Sequence, residues 1–264
     1  MKKHCLYAVP FVLFSSLLFG TTAVSAESNW QGDGTISFDG EYGKDVLDPE
    51  NPGNIVDPGP SPSTDGLLRI EFVPQLNFWN NKISSEDQTY AANAQLFHSD
   101  TGPRGNFVQV SDYRGTGAGW TLQLRQETQF KNETTTNKEL TGAVISMDKS
   151  WVNSTFDLAN GPAVSKDVIR IDNIGQTYTL AEAKKGTGEG TWSLEFGASI
   201  ENQSGQADTL SPRLDKDGNP ISDADFGGQP IYENSAVTLF VPGKTKKDPV
   251  QYQTVLTWIL SELP

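Results

Sequence analysis

Carboxylates are the reactive groups this chain has in abundance. In "LDKDGNPISDAD" (214–225), Asp215, Asp217, Asn219 and Asp223 fall at the oxygen-ligand spacing of an EF-hand-like loop, which makes Ca²⁺ the one cofactor the sequence leaves open. Such a loop wants glycine at its sixth position and a bidentate glutamate at its twelfth; Pro220 and Phe226 stand there instead. The same stretch also spells an ordinary hairpin turn through Asp217-Gly218. Glycoside hydrolysis would need two opposed carboxylates. Acids such as Glu195 are plentiful, yet no spacing singles out a pair, so the expectation is a protein that is not an enzyme. After Ala26 there is no cysteine and one histidine, His98, read as an ordinary surface or half-buried residue. Thiol nucleophiles, zinc centres and Ser-His-Asp triads therefore lack their residue types. The glycines of "YRGTGAGW" (113–120) would suit a phosphate cradle only between a strand and a helix; here a strand follows, and a wide turn is expected.

The other chemistry-bearing pattern is aromatic. W-x-L occurs at Trp120-Thr121-Leu122, at Trp192-Ser193-Leu194 and at Trp258-Ile259-Leu260. One residue separates the two apolar side chains, so in a strand both point to one face. A buried core stripe is the plain reading. The alternative is an exposed aromatic platform on which sugar rings stack.

The elements that would position these residues are strands. "LLRIEFVP", "NFVQVSD", "GWTLQLRQ", "GAVISM", "TYTLAEA", "GTWSLEFGAS" and "AVTLFVPG" alternate with a period of two, between connections rich in Gly, Asn, Asp and Thr. The end of the chain does likewise, with Val250, Tyr252, Thr254, Leu256, Trp258 and Leu260 on one face. "SEDQTYAANAQLF" (85–97) is the nearest approach to a helix. The pattern predicts an all-β fold, an antiparallel β-sandwich-like single domain over 66–264.

Ahead of it, residues 27–65 carry nine Asp or Glu against Lys44, and "LDPENPGNIVDPGPSPSTDG" reads as a flexible acidic linker. Within that lead-in "GDGTISFDG" alternates Ile36 and Phe38, as a short strand would. Residues 1–26 read as a signal peptide: Lys2 and Lys3, an apolar run too short to span a membrane permanently, then "TTAVSA" with cleavage after Ala26. Cys5 lies near the start of that run, which argues against a lipid anchor. Net charge is −13 and becomes more negative once Lys2 and Lys3 are removed. So acidic a chain is a poor ligand for nucleic acid and does not adsorb to anionic polymers by charge alone. "AEAKKGTGEG" and "GKTKKD" are short basic spots on expected loops.

Longer strings carry a resemblance. "LLRIEFVPQLNFWNNKISSEDQTYAANAQ", "NFVQVSDYRGTGAGWTLQLRQETQF", "GTWSLEFG" and "VTLFVPGKTKKDPVQYQTVLTWILSELP" resemble the WxL domain of exported surface proteins from low-GC Gram-positive bacteria. The proximal motif corresponds to Trp120, Thr121 and Leu122 after a glycine-rich turn. The distal motif corresponds to Tyr252, Leu256, Thr257, Trp258 and Leu260. One departure is Trp79-Asn80, where the family more often has a glycine after the aromatic residue. The resemblance implies non-covalent attachment to the cell wall, with peptidoglycan as the ligand. It also implies association with other surface proteins, such as WxL-interacting proteins. An adhesin or assembly subunit bound to such a partner or to host matrix is the alternative. No LPxTG signal with an apolar tail and basic end follows the motif, so sortase attachment is not expected.

Overall fold

A computed structural model describes residues 45–263, which fall in one unit. Its strands, in chain order, are β1 (Val46–Leu47), β2 (Ile55–Val56), β3 (Leu68–Phe72), β4 (Gln88–Asn93), β5 (Asn106–Asp112), β6 (Trp120–Gln126), β7 (Val144–Met147), β8 (Ser150–Asn153), β9 (Ala163–Val164), β10 (Ile169–Ile171), β11 (Thr177–Ala183), β12 (Gly190–Phe196), β13 (Leu210–Pro212), β14 (Ser222–Asp223), β15 (Gln229–Pro230), β16 (Tyr232–Val241) and β17 (Leu256–Glu262). One 3-10 turn, Leu158–Asn160, is the helical element among the described residues. The all-β expectation holds, and every strand pairing is antiparallel.

Three larger sheets share one core. The first runs β17-β6-β11-β9, the second β3-β5-β12-β8, and the third β10-β7-β16-β13 with β4 on the other side of β16. Trp120, Leu122 and Leu124 of the first sheet meet Val108, Val110, Trp192, Leu194 and Phe196 of the second and Ile145, Met147, Val237 and Leu239 of the third in a single buried cluster. The period of two places these side chains on inner faces, and each large one stabilises the fold by ~1.5–3 kcal/mol through loss of apolar surface to water. In β11 the alternation breaks: a bulge between Thr179 and Ala181 leaves both Leu180 and Ala181 buried.

The stretch 85–97, the nearest approach to a helix, holds strand β4, because Tyr90 and Ala92 dock on the core and β16 supplies a long-range ladder that outweighs local alanine content. One expectation is corrected. The acidic lead-in is part of the domain from Asp45 onward. Asp48, Glu50 and Val56 are buried, and the segment covers the outer face of the second sheet. Its prolines and glycines make tight turns, and its acids are fixed acceptors. Asp48 takes Arg104 at 3.0 and 3.1 Å, while Glu50 takes the N–H and hydroxyl of Ser199, each at 2.6 Å. Val56 packs with Phe72, Phe97 and Phe107 in a second small core. The signal peptide and the "GDGTISFDG" strand lie outside the described residues.

Candidate functional site

The two halves of the sequence motif, more than a hundred residues apart in the chain, lie side by side. β17 pairs with β6 so that Trp258 stands opposite Leu124, Leu260 opposite Leu122 and Glu262 opposite Trp120. Directly opposite residues share a face. Trp120, Leu122 and Leu124 are buried, whereas Leu256, Trp258 and Leu260 are half-buried against the same core. The tryptophan and leucine of both motifs thus point inward. Trp120 is 1% exposed, and its indole N–H donates to the Gly188 carbonyl at 3.0 Å. The third W-x-L, on β12, is likewise core: the Trp192 indole donates to the Glu189 carbonyl at 2.9 Å.

What the motif strands present outward are the residues between. Thr121, Gln123 and Arg125 of β6 stand opposite Ser261, Ile259 and Thr257 of β17, and opposite Glu182, Thr179 and Thr177 of β11. The result is a polar sheet face built of hydroxyls, the Gln123 amide and the charged Arg125 and Glu182 around Ile259. Gln123 donates to the Thr179 hydroxyl at 3.2 Å. Glu127 accepts from the Thr257 hydroxyl at 2.5 Å and from Arg125 at 2.8 Å, and these partners hold its carboxyl below the ordinary range. β17 is an edge strand, with no strand bonded to its other side among the described residues.

The glycine-rich turn fixes where β6 begins. Gly119 has φ +83°, and a β-carbon there would run into the Ala183 carbonyl oxygen. The turn is clasped by the β11–β12 turn: Gly186 donates to the Gly117 carbonyl at 2.8 Å, and Gly117 to Glu189 at 3.0 Å. A β-carbon on Gly188, φ +78°, would meet the Trp120 indole nitrogen at 2.8 Å. Arg114, which the motif reading passed over, closes this end. It pairs with Asp112 at 2.8 Å, with Glu262 at 2.9 Å and with the Gly119 carbonyl at 3.0 Å, joining the turn to the end of β17. Its position beside the glycines is the one signal sequence offered.

At the opposite end, Tyr252 acts as a clamp. Its hydroxyl donates to the Asn137 carbonyl at 2.7 Å and accepts from the Asp248 N–H at 2.9 Å. Asp248 in turn accepts from Thr135 at 2.5 Å and from the Asn137 N–H and side chain, each at 2.7 Å, so its carboxyl is held below the usual range.

The other candidates lie elsewhere. Asp215 spends one oxygen on the N–H groups of Asp217 at 2.8 Å and Asn219 at 2.9 Å, as a turn requires. Asp217 pairs with Lys216, and Asp223 sits on β14 accepting from the Asp225 N–H. Among the described residues no three His, Cys, Asp or Glu side chains are placed to hold a metal ion. Glu195 is sealed on the outer face of the second sheet between Phe107 and Trp151, under the lead-in. His98 is exposed and stacks on Phe226, with ring centres 4.5 Å apart.

The model of the WxL domain family, described as surface cell wall-binding, matches residues 15–264. The chain belongs to the WxL domain family. It therefore carries a cell wall-binding surface domain. No curated protein and no solved structure matches it. Among the described residues, no helix of this WxL protein is long and apolar enough to cross a membrane.

Proposed function

We propose that this WxL protein is exported, has no enzymatic activity and attaches non-covalently to the wall, with peptidoglycan as its ligand and the outward face of the β6–β17 pair as its contact. The observation that carries the reading is the joining of both motif halves in one sheet. The Trp and Leu positions anchor that sheet in the core, while Thr121, Gln123, Thr257, Ile259 and Ser261 remain available for contact. Hydroxyls and amides suit a glycan, and a net-acidic protein gains nothing from bulk charge against an anionic wall. In co-sedimentation with purified sacculi, a Gln123→Ala/Ile259→Ala variant is expected to melt like wild type and to bind at least about tenfold more weakly. Undiminished binding by that variant would remove the contact from this face. No divalent cation takes part in this reading, so EDTA is expected to leave sedimentation unchanged.

A second reading draws on the edge of β17, to which no further strand is bonded among the described residues. Unprotected edge strands pair readily with a further strand, and "VLTWILSE" carries no proline or lysine. An assembly subunit docking a WxL-interacting protein or host matrix there is favoured if folded protein fails to bind sacculi.

A further inference from the structure

Of the described tryptophans, Trp120, Trp151 and Trp192 are buried, Trp258 is half-buried, and Trp79 is 36% exposed. Trp79 lies in the stretch 73–87 between β3 and β4, which has no regular secondary structure. Ordered loops of that length are uncommon and usually functional. Its φ of 66° is the left-handed region, which a bulky side chain enters only when its surroundings force it. The preceding residue shows what is gained. Phe78 is buried edge-on against Phe130, with ring centres 6.0 Å apart, while the left-handed step sends Trp79 outward.

The ring is held from behind. The Trp79 N–H donates to the Asn77 side chain at 2.8 Å, and the Asn77 carbonyl accepts from the Asn93 N–H at 2.7 Å. Arg213 donates to the Asn93 side chain and to the Ala91 carbonyl, each at 3.1 Å, and pairs with Glu233 at 3.3 Å. Thus pinned, its guanidinium carbon lies 5.4 Å from the centre of the Trp79 ring. The exposed residues next to Trp79 in sequence are Asn77, Asn80, Asn81 and Lys82, with Ile83 beyond them, and the Asn81 side chain donates to the Phe78 carbonyl at 2.7 Å. A protein hot spot sits among apolar neighbours that exclude water. A single exposed aromatic ring backed by Arg213 and followed by the exposed amides Asn80 and Asn81 instead suits a pyranose, whose apolar C–H face can lie on the ring while its hydroxyl and acetamido groups meet polar neighbours.

We propose that Trp79 is a sugar-stacking residue that takes the C–H face of a pyranose unit in a wall glycan strand, with Asn80 and Asn81 at its rim. This rests on the wall-binding reading. The buried Phe78–Phe130 contact roots the loop in the core, while Arg213 holds the Trp79 ring beside β4 and β16 of the third sheet, so Trp79 is a contact separate from the motif sheet. The test uses residues 27–264, teichoic-acid-stripped sacculi and soluble glycan strands released from them. Wild type is expected to sediment and to show a saturable change in tryptophan emission with the soluble strands. Trp79→Ala is expected to keep the wild-type melting transition, to lose the emission change and to sediment at least about tenfold more weakly, with Trp79→Tyr restoring most of the binding. Wild-type-like sedimentation of Trp79→Ala overturns the proposal and leaves wall binding standing. If that variant instead loses a co-purifying surface protein, Trp79 belongs to a protein contact and the proposal also fails. Absence of sedimentation by folded wild type overturns both.

Discussion

Trp120 and Trp258 share a motif but not a role. Trp120 is enclosed and its indole N–H is satisfied, so Trp120→Ala is expected to cost ~3–5 kcal/mol, read as a lowered denaturant midpoint. Trp258 is half-buried on an edge strand, and Trp258→Ala is expected to cost distinctly less. Equal losses would contradict the inward assignment of Trp120 and the marginal one of Trp258. A domain is stable by only ~5–15 kcal/mol, so loss of wall binding in Trp120→Ala reports unfolding before it reports contact. The inward stripes of β6 and β17 were legible in the sequence, because one residue between Trp and Leu fixes a shared face. The outward aromatic was not. Nothing local in "NFWNN" says which of Phe78 and Trp79 is buried; that depends on Phe130 and on Arg213, both remote in sequence.

At the scale of elements, Arg114 and the lead-in decide the outcome. Arg114 fastens the end of β17 to the glycine turn, so Arg114→Gln is expected to speed hydrogen exchange at Ser261 and Glu262 while sparing β5 and β12. Unchanged protection at Ser261 and Glu262, or an equal change in β5 and β12, would deny Arg114 that part. The lead-in presses Asp48 and Glu50 toward Glu195, with Arg104 as the buried cation and Glu201 at its exposed end. Burial, then the charges of Glu50 and Asp48, raise the Glu195 carboxyl well above its ordinary range. Burial also raises Glu50, against the opposing bonds from Ser199. A folded pKa above the unfolded one means that the native state holds the extra proton. The contribution of these two carboxyls to stability is then fully present below the ordinary carboxyl range and is lost as pH rises toward their folded values. Glu195→Gln is expected to flatten that decline in melting temperature against pH; an unchanged slope would assign it to other groups. Composition concealed this element. Proline, glycine and acid in "LDPENPGN" read as linker because the partners that order it, Arg104, Asn153 and Ser199, come from the second sheet and its connecting loops.

Taken whole, the molecule uses one core to hold three sheets, and the motif sheet is the one that closes the chain upon itself: β17, last in sequence, lies against β6. The all-β class and most strand positions were readable from the period of two, since alternation survives wherever one face is buried. The pairing of β6 with β17 is a long-range contact that local pattern cannot encode. The central claim is direct attachment to the wall, and it is tested most directly by a sedimentation isotherm of residues 27–264 on purified sacculi stripped of teichoic acids. Saturable binding that persists after stripping and in EDTA is the predicted result. Fully folded protein that stays in the supernatant at every concentration would contradict it and move retention on the cell to a partner docked at the β17 edge.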